Sequence, residues 1–127
     1  MRASHLLAGV LAGSVMTLAP AAALAKDGDV RTRGTCSKSS SVKLKLSPED
    51  GRIETELEVD QNRNGVRWTV TLRRNGALAA STKATTRGPS GSFEVRRLLR
   101  NGAGADTVTG RAVSPSGEVC TVRATLR

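Results

Sequence analysis

The sequence predicts an all-β fold, a single Ig-like antiparallel β-sandwich of about seven strands. Polar and apolar side chains alternate in several short segments, as they do along half-buried strands. Turn-forming clusters rich in Asn, Gly, Pro and Ser separate these segments at near-regular intervals. After residue 25, no segment has the sustained 3.6-residue apolar period of a helix. Short strands and regular turns in a chain of this size are typical of one sandwich.

The first 25 residues read as a secretory signal peptide. Arg2 gives a charged start, an apolar stretch covers residues 6–18, and the helix-breaking Pro20 follows it. Ala23-Leu24-Ala25 then has the A-x-A pattern of a cleavage site. An uncleaved membrane anchor is the alternative interpretation of the apolar stretch. If the chain is cleaved there, we expect the protein to be exported to the medium or the cell wall, with no membrane association afterwards. The predicted organisation is a signal peptide at 1–25, an N-terminal extension at 26–35 and the sandwich at 36–127.

Residues 26–127 lack most side chains that carry chemistry near neutral pH. They contain no His, Met or Tyr, and they retain both cysteines of the chain. Acid–base and nucleophilic catalysis usually need His, a free Cys or an activated hydroxyl or amine. We therefore expect no enzymatic activity, no cofactor and no metal site. In an exported protein, two cysteines predict a disulfide between Cys36 and Cys120.

The clearest alternating segments, residues 42–46 and 53–59, predict a β-hairpin. In both, apolar side chains share one face and charged side chains share the other. With residues 48–51 as a four-residue loop, Lys45 lies opposite Glu54, and oppositely charged side chains pair across the strands.

In an alternating strand, every second side chain points inward (here called inward parity), and these positions form the candidate core. Trp68 is the one Trp and Phe93 the one Phe of the chain, and both alternate with polar neighbours. Both are therefore predicted to be core residues, and neither is predicted to be a stacking platform for a ligand. Cys120 has inward parity in the last segment. Residues 77–87 have little pattern and predict either a short edge strand or a loop.

Charge is distributed unevenly along the chain. Residues 26–62 carry a net charge of −1, and residues 63–127 carry +9. Such asymmetry predicts a polyanionic partner, although a basic surface that only maintains solubility explains it too. No nucleic-acid motif accompanies the charge, so the candidate partners are an anionic cell-surface polymer or a secreted protein. The candidate anion-binding residues are Arg67, Arg73, Arg74, Arg96 and Arg123.

The residues suggest two other kinds of site. Residues 60–65 match the D-x-N-x-N-G opening of a calcium loop, but Thr71 stands where that loop needs a bidentate Glu. A turn built on Asn64-Gly65 explains the same residues. The other is a hydrolase site with paired carboxylates, formed by acids that lie close together in the sequence. These acids, which alternation places on a solvated face, are Glu54, Glu56, Glu58 and Asp60.

Short motifs spread over most of residues 36–126 carry a family resemblance. They are Cys36 with the Ser-rich segment that follows, Val59-Asp60 before Trp68, Ser90-Gly91-Ser92-Phe93 and Gly117-Glu118-Val119-Cys120. In these the chain resembles small secreted actinobacterial proteins of unknown function that have an Ig-like sandwich. The resemblance implies the fold and export, and no activity. The chain differs from antibody-type domains, whose disulfide joins the second and sixth strands. Here Cys36 precedes the first clearly predicted strand, and Cys120 lies in the last one.

These observations predict a secreted, non-enzymatic, disulfide-stapled sandwich. It would act as a binding or structural module of the cell envelope or medium, with anionic polymers as candidate ligands. One alternative is a small secreted inhibitor of a partner hydrolase, which would present the loop at residues 88–91 to another secreted protein. The other is a weak carboxylate-based hydrolase.

Cleavage after Ala25 has a direct test. We expect the protein recovered from the culture medium to begin at Lys26, because the A-x-A pattern ends at Ala25. N-terminal sequencing measures this, and an exported chain that still begins at Met1 would contradict it.

Overall fold

The computed structural model describes residues 28–127, which form nine β-strands in two antiparallel sheets. The strands are β1 Val30–Arg33, β2 Thr35–Cys36, β3 Ser41–Glu49, β4 Arg52–Asp60, β5 Arg67–Arg74, β6 Ala77–Thr85, β7 Ser92–Arg100, β8 Asp106–Val113 and β9 Val119–Leu126. A four-stranded sheet has the order β1-β3-β4-β7, and a five-stranded sheet has the order β2-β9-β8-β5-β6. The predicted all-β antiparallel sandwich is confirmed. The predicted signal peptide lies outside the described residues.

The first two strands were not apparent from the sequence. The structure's first strand begins at Val30, inside the segment 26–35 that the sequence assigned to an N-terminal extension. β1 has four residues and β2 has two, which is too short for an alternating pattern to be recognised. Both form because they add to existing strands, β1 to β3 and β2 to β9.

The β3–β4 hairpin has the predicted faces but a different register. Lys45 lies opposite Glu56, so the predicted pairing with Glu54 is wrong by two residues. The chain reverses over two residues, Asp50 and Gly51, whose φ angles of 46° and 76° are both positive. An Asp-Gly pair in this conformation makes a two-residue hairpin turn. Because the side-chain period is two, a two-residue shift leaves every side chain on its predicted face.

The weakly patterned segment is an edge strand. β6 covers nine residues, Ala77–Thr85, and pairs only with β5, through a register shift between Leu72 and Arg73. Its inward side chains, such as Ala80 and Ala84, are small and only partly buried. An edge strand that covers little of the core has no need for strong apolar alternation, which accounts for the weak signal.

The core lies between the two sheets and confirms the predicted inward parities. Trp68 is fully buried, and its ring centroid lies 6.0 Å from that of Phe93. The indole nitrogen of Trp68 donates a hydrogen bond to the side-chain oxygen of Gln61 at 3.1 Å, so its polar atom is satisfied. The remaining large, fully buried apolar side chains are Leu44, Leu46, Ile53, Leu57, Val59, Val70, Leu72 and Val108.

Gly34 is the point where the chain passes from one sheet to the other. β1 ends at Arg33 in the four-stranded sheet, and β2 begins at Thr35 in the five-stranded sheet. A Cβ atom on Gly34 would lie 2.1 Å from the backbone oxygen of Thr121 and 2.6 Å from Cβ of Val122. Only glycine therefore fits against β9 at this crossing.

The disulfide and a buried carboxylate hold the segment that follows this crossing. Cys36 and Cys120 are bonded, as predicted, and they are directly opposite in the β2–β9 ladder, with Cα atoms 4.0 Å apart. Both carboxylate oxygens of Glu118 are used: one accepts the backbone N–H groups of Lys38 and Ser40, and the other accepts the Ser40 hydroxyl at 2.6 Å. Together they tie residues 36–40 to the start of β9.

Substitution of Gly34 by Ala should destabilise the fold. The added methyl group would overlap the β9 backbone, and overpacking of this kind costs about 1–3 kcal/mol. We expect chemical denaturation to measure a loss in that range. Gly104→Ala is the matched control, because no atom lies within 4 Å of a Cβ placed there. Equal stabilities for the two variants would show that the crossing at Gly34 is not tight.

Candidate anion-binding face

The five-stranded sheet collects basic side chains and almost no acid. Its strands, all in the described part of the chain, contain one carboxylate, Asp106, which is buried. The basic side chains that are exposed on its outward side are named here the cationic face. They are Arg67, Arg73, Lys83, Arg111 and Arg123. Three of the five arginines predicted to bind anions, those at 67, 73 and 123, therefore share one surface.

Strand order brings three of these arginines together. Thr109 on β8 lies opposite Arg73 on one side and opposite Arg123 on the other. Arg111, two residues along β8, is the diagonal neighbour of both. Cα separations in such an arrangement are about 8 Å for diagonal neighbours and about 10 Å across two strands. The three guanidinium groups, named here the arginine triangle, can therefore approach a single ligand.

Hydroxyl groups fill the positions between these arginines. Arg111 is flanked across the ladders by Thr71 and Thr121. Further along, the hydroxyl groups of Thr107 and Thr125 are hydrogen-bonded to each other at 2.9 Å. A hydroxyl group donates as well as accepts, so the surface between the arginines can also donate hydrogen bonds to an oxyanion.

A shallow depression forms one end of the cationic face. It has a volume of about 310 Å³ and is lined by Arg67, Thr69, Lys83, Val113, Ser114 and Pro115. Lys83 lies opposite Thr69, which makes it the diagonal neighbour of Arg67. Neither cation makes an ion pair or side-chain hydrogen bond within the described residues, so both are free to bind a ligand.

Arg74, which the sequence included among the anion-binding residues, has an internal partner instead. Its guanidinium lies 2.7 Å from the carboxylate of Asp106. That carboxylate also accepts hydrogen bonds from the backbone N–H of Gly102 and the side-chain amide of Asn75. Arg74 is therefore committed to a buried network that anchors the 101–105 loop.

The pKa of Asp106 follows from this network. Burial of the carboxyl raises its pKa, but the hydrogen bonds from Gly102 and Arg74, the charge of Arg74 and the hydrogen bond from Asn75 outweigh burial. The net result is a pKa below the ordinary value of 3.8. Asp106 thus stays charged in the folded protein and neutralises Arg74.

Arg96 lies on the opposite face of the sandwich, in the four-stranded sheet. Its guanidinium contacts Glu56 at 2.5 Å, Glu54 at 3.4 Å and Glu94 at 3.9 Å. Three carboxylates surround it, and it lies on a different surface from the cationic face.

Two members of the cationic face were missing from the predicted set. Arg111 was detectable, because Val108, Gly110 and Ala112 have inward parity and leave Arg111 outward. Lys83 was not, because β6 lacks the alternation that would assign its faces. The convergence of Arg73, Arg111 and Arg123 depends on strand order, which no local pattern reveals.

The acids that the sequence suggested for calcium binding or hydrolysis make contacts within the fold. A carboxylate oxygen of Asp60 accepts the backbone N–H of Asn62, whose φ of 57° is in the left-handed region. This is an Asx turn, and it supports the turn interpretation of residues 60–65 over a calcium loop. Glu54 and Glu56 are ion-paired with Arg96, and Glu58 lies 3.5 Å from the amine of Lys43.

One other group brings potential metal ligands together. Among the described residues, donor atoms of Cys36, Glu118 and Cys120 lie within 4.8 Å of one another. Both sulfurs are in the disulfide, and Glu118 accepts hydrogen bonds from the residues after Cys36. This group therefore serves to fasten β2 to β9.

The loop proposed for an inhibitor is a tight connection between β6 and β7. Residues 87–90 are exposed, and Gly91 donates a backbone hydrogen bond to the carbonyl of Arg87 at 2.9 Å. A Cβ on Gly91 would lie 2.2 Å from the backbone nitrogen of Arg63. The base of the loop is thus packed against the β4–β5 connection.

Residues 28–127 contain no helix that could span a membrane.

The buried network around Asp106 generates a pH-dependent prediction. Because the folded pKa of Asp106 lies below the unfolded value, its stabilisation is complete above about pH 4 and is lost as the pH falls through the folded pKa. Asp106→Asn should destabilise the protein by roughly 2–4 kcal/mol at neutral pH, since it leaves Arg74 without its carboxylate. The deficit should shrink below about pH 4.

Denaturation midpoints measured across pH test this expectation. Asp50→Asn is the matched control, because Asp50 is exposed in a turn whose positive φ suits Asn. A deficit for Asp106→Asn that is the same at pH 2 and pH 7 would contradict the assignment.

Comparison with known proteins adds little to this description. No family model matches the chain, and no curated protein matches it. Among solved structures, the chain is similar to chicken MD-1 in the crystal structure of its complex with lipid IVa. The identity is 14% and the TM-score is 0.31, and the match covers 76% of this chain and 96% of that chain. At this level the likeness carries no argument about the ligand of this protein.

Proposed function

We propose that this protein is an exported, non-enzymatic module that binds an anionic polymer of the cell envelope through its cationic face. The observation that carries the proposal is the composition of the five-stranded sheet. Among the described residues, its strands carry no exposed carboxylate, and their one carboxylate, that of Asp106, is buried against Arg74. We also propose, from the sequence resemblance, that it belongs to the small secreted actinobacterial proteins of unknown function.

The arrangement suits a ligand with repeated negative charges. Arginine donates in a planar fork that matches phosphate and carboxylate oxygens. The arginine triangle lies towards one end of β5, and the depression at Arg67 lies six residues away, about 20 Å along the strand. A linear polyanion can contact both at once, whereas a single small anion cannot. Binding of this kind requires no exposed aromatic side chain and weakens with salt as counterions are released.

The alternatives have less support from the described residues. A carboxylate hydrolase needs one carboxyl group that is free to carry a proton and a second one to assist it. The candidate glutamates instead contact lysine and arginine side chains. An inhibitor would use residues 88–91, and no contact in the structure favours a protein partner there.

Retention on purified cell-wall polymer across a salt gradient tests the proposed function. Arg73→Gln/Arg111→Gln/Arg123→Gln should elute at lower salt than the wild type, and the logarithmic salt dependence of its affinity should fall by roughly 1 per lost phosphate contact. Thermal stability should be almost unchanged, because all three side chains are exposed.

The matched control removes three arginines from the other sheet, as Arg52→Gln/Arg97→Gln/Arg100→Gln. It has the same net charge as the triple variant but an intact cationic face. If both variants weaken retention equally, the protein behaves as a generic cation and the proposed function fails. Retention equal to that on a plain sulfonate matrix would lead to the same conclusion.

A further inference from the structure

We infer that the protein has a second oxyanion site, on the opposite side of the sandwich, formed by Arg31 and Arg33 together with Lys43 and Lys45. These four side chains line a groove of about 520 Å³ on the four-stranded sheet. The groove is separate from the cationic face and contains none of its residues. The site therefore goes beyond the proposed function, which uses the other sheet.

The register of β1 and β3 places like charges directly opposite each other. Arg31 pairs with Lys45, and Arg33 pairs with Lys43. Since side chains alternate along both strands, all four cations share one face and form a compact block. Like charges in directly opposite positions destabilise a sheet. Among the described residues, carboxylates contact the two lysines but not the two arginines. A local conflict that is only partly compensated is typical of functional sites.

The acids in and around the groove pair with Lys43, Lys45 and Arg96. Lys43 lies 3.5 Å from Glu58, and Lys45 lies 3.9 Å from both Glu56 and Asp29. Glu94, the remaining acid that lines the groove, lies 3.9 Å from Arg96, and Arg96 also contacts Glu56.

The two arginines differ in this respect from the two lysines. Within the described residues, Arg31 and Arg33 have no carboxylate within ion-pair distance. Both are exposed on β1, which is an edge strand of its sheet. Their donors are therefore available to a ligand, and the lysines opposite them add positive charge.

The chemistry favours a tetrahedral oxyanion, either a phosphate or a phosphate ester. Arg31 and Arg33 are two residues apart on one side of a strand, so their Cα atoms are about 7 Å apart. A phosphate group has enough acceptor oxygens to take a forked pair of hydrogen bonds from one guanidinium and contact the other. Its charge would also remove the repulsion within the block.

A second site has a consequence for polymer binding that rests on the proposed function. The groove and the cationic face are on opposite outer surfaces of the sandwich. One molecule can therefore hold two separate polymer chains, and it would act as a cross-link. Linked sites also raise apparent affinity when both are engaged on one extended network.

Titration with inorganic phosphate, followed by NMR of the arginine side chains, tests the site itself. We expect the Arg31 and Arg33 resonances to shift together and to saturate. Arg31→Gln/Arg33→Gln should raise the dissociation constant reported by the Lys43 and Lys45 resonances at least about tenfold. Arg97→Gln/Arg100→Gln is the control, with equal charge loss on the same sheet, and it should leave the constant unchanged.

Thermal melting gives a second readout. Without phosphate, Arg31→Gln/Arg33→Gln should melt at the same temperature as the wild type or higher, because it removes like-charge pairs. Phosphate should raise the melting temperature of the wild type more than that of this variant. Equal responses of the variant and its control, or unshifted Arg31 and Arg33 resonances, would overturn the site.

Light scattering with long-chain polyphosphate separates this inference from the proposed function. The wild type should form growing assemblies, and Arg31→Gln/Arg33→Gln should bind polymer without assembling. If the wild type binds no polymer at all, the proposed function fails, and the phosphate titration still decides the site at Arg31 and Arg33. If the variant assembles as the wild type does, the groove does not bind a second chain.

Discussion

The fit of Gly34 against the backbone of β9 is the constraint on which the rest of the sandwich depends. At this residue the N-terminal segment leaves the four-stranded sheet and joins the five-stranded one. The crossing places β1 beside β3 and β2 beside β9, so one short segment adds a strand to each sheet. The Cys36–Cys120 bond and the contacts of Glu118 then fix the segment in place. Without the crossing, β3 and β9 would both become edge strands, and the groove at Arg31 would not exist.

The two outer surfaces of the sandwich use charge in different ways. On the four-stranded sheet, β4 supplies a line of glutamates, and lysine or arginine side chains on neighbouring strands pair with them. Exposed pairs of this kind contribute little to stability, but they neutralise the surface. On the five-stranded sheet, the hydroxyl groups of Thr71, Thr109 and Thr121 occupy the positions where such acids would be. Among the described residues, the exposed cations there have no carboxylate partner, although Arg73 donates a hydrogen bond to the carbonyl of Gly76. This difference makes the five-stranded sheet the candidate surface for a polyanion.

Side-chain parity was predictable from the sequence, whereas pairing between distant strands was not. The inward positions of Trp68, Phe93 and Cys120 follow from a period of two, and a register error leaves them unchanged when it is a shift of two residues. The β3–β4 register failed because Asp50-Gly51 closes a shorter turn than the four residues that the sequence suggested. Arg74 shares the inward parity of Trp68, Val70 and Leu72, so a period of two already separates it from Arg73. The partner of Arg74, Asp106, and the separation of Arg96 from the other arginines required the order of the strands. Those are long-range properties of the chain.

The charge asymmetry along the chain only partly corresponds to the charge distribution in space. The basic half of the sequence contributes β7 to the four-stranded sheet, where Arg96 is neutralised by glutamates from the other half. The nearly neutral half contributes β1, where Arg31 and Arg33 have no acidic partner among the described residues. Because each sheet contains strands from both halves of the sequence, both outer surfaces carry cations without a described acidic partner. Net charge counted along the sequence identifies one cationic surface, and the register of β1 against β3 reveals the other.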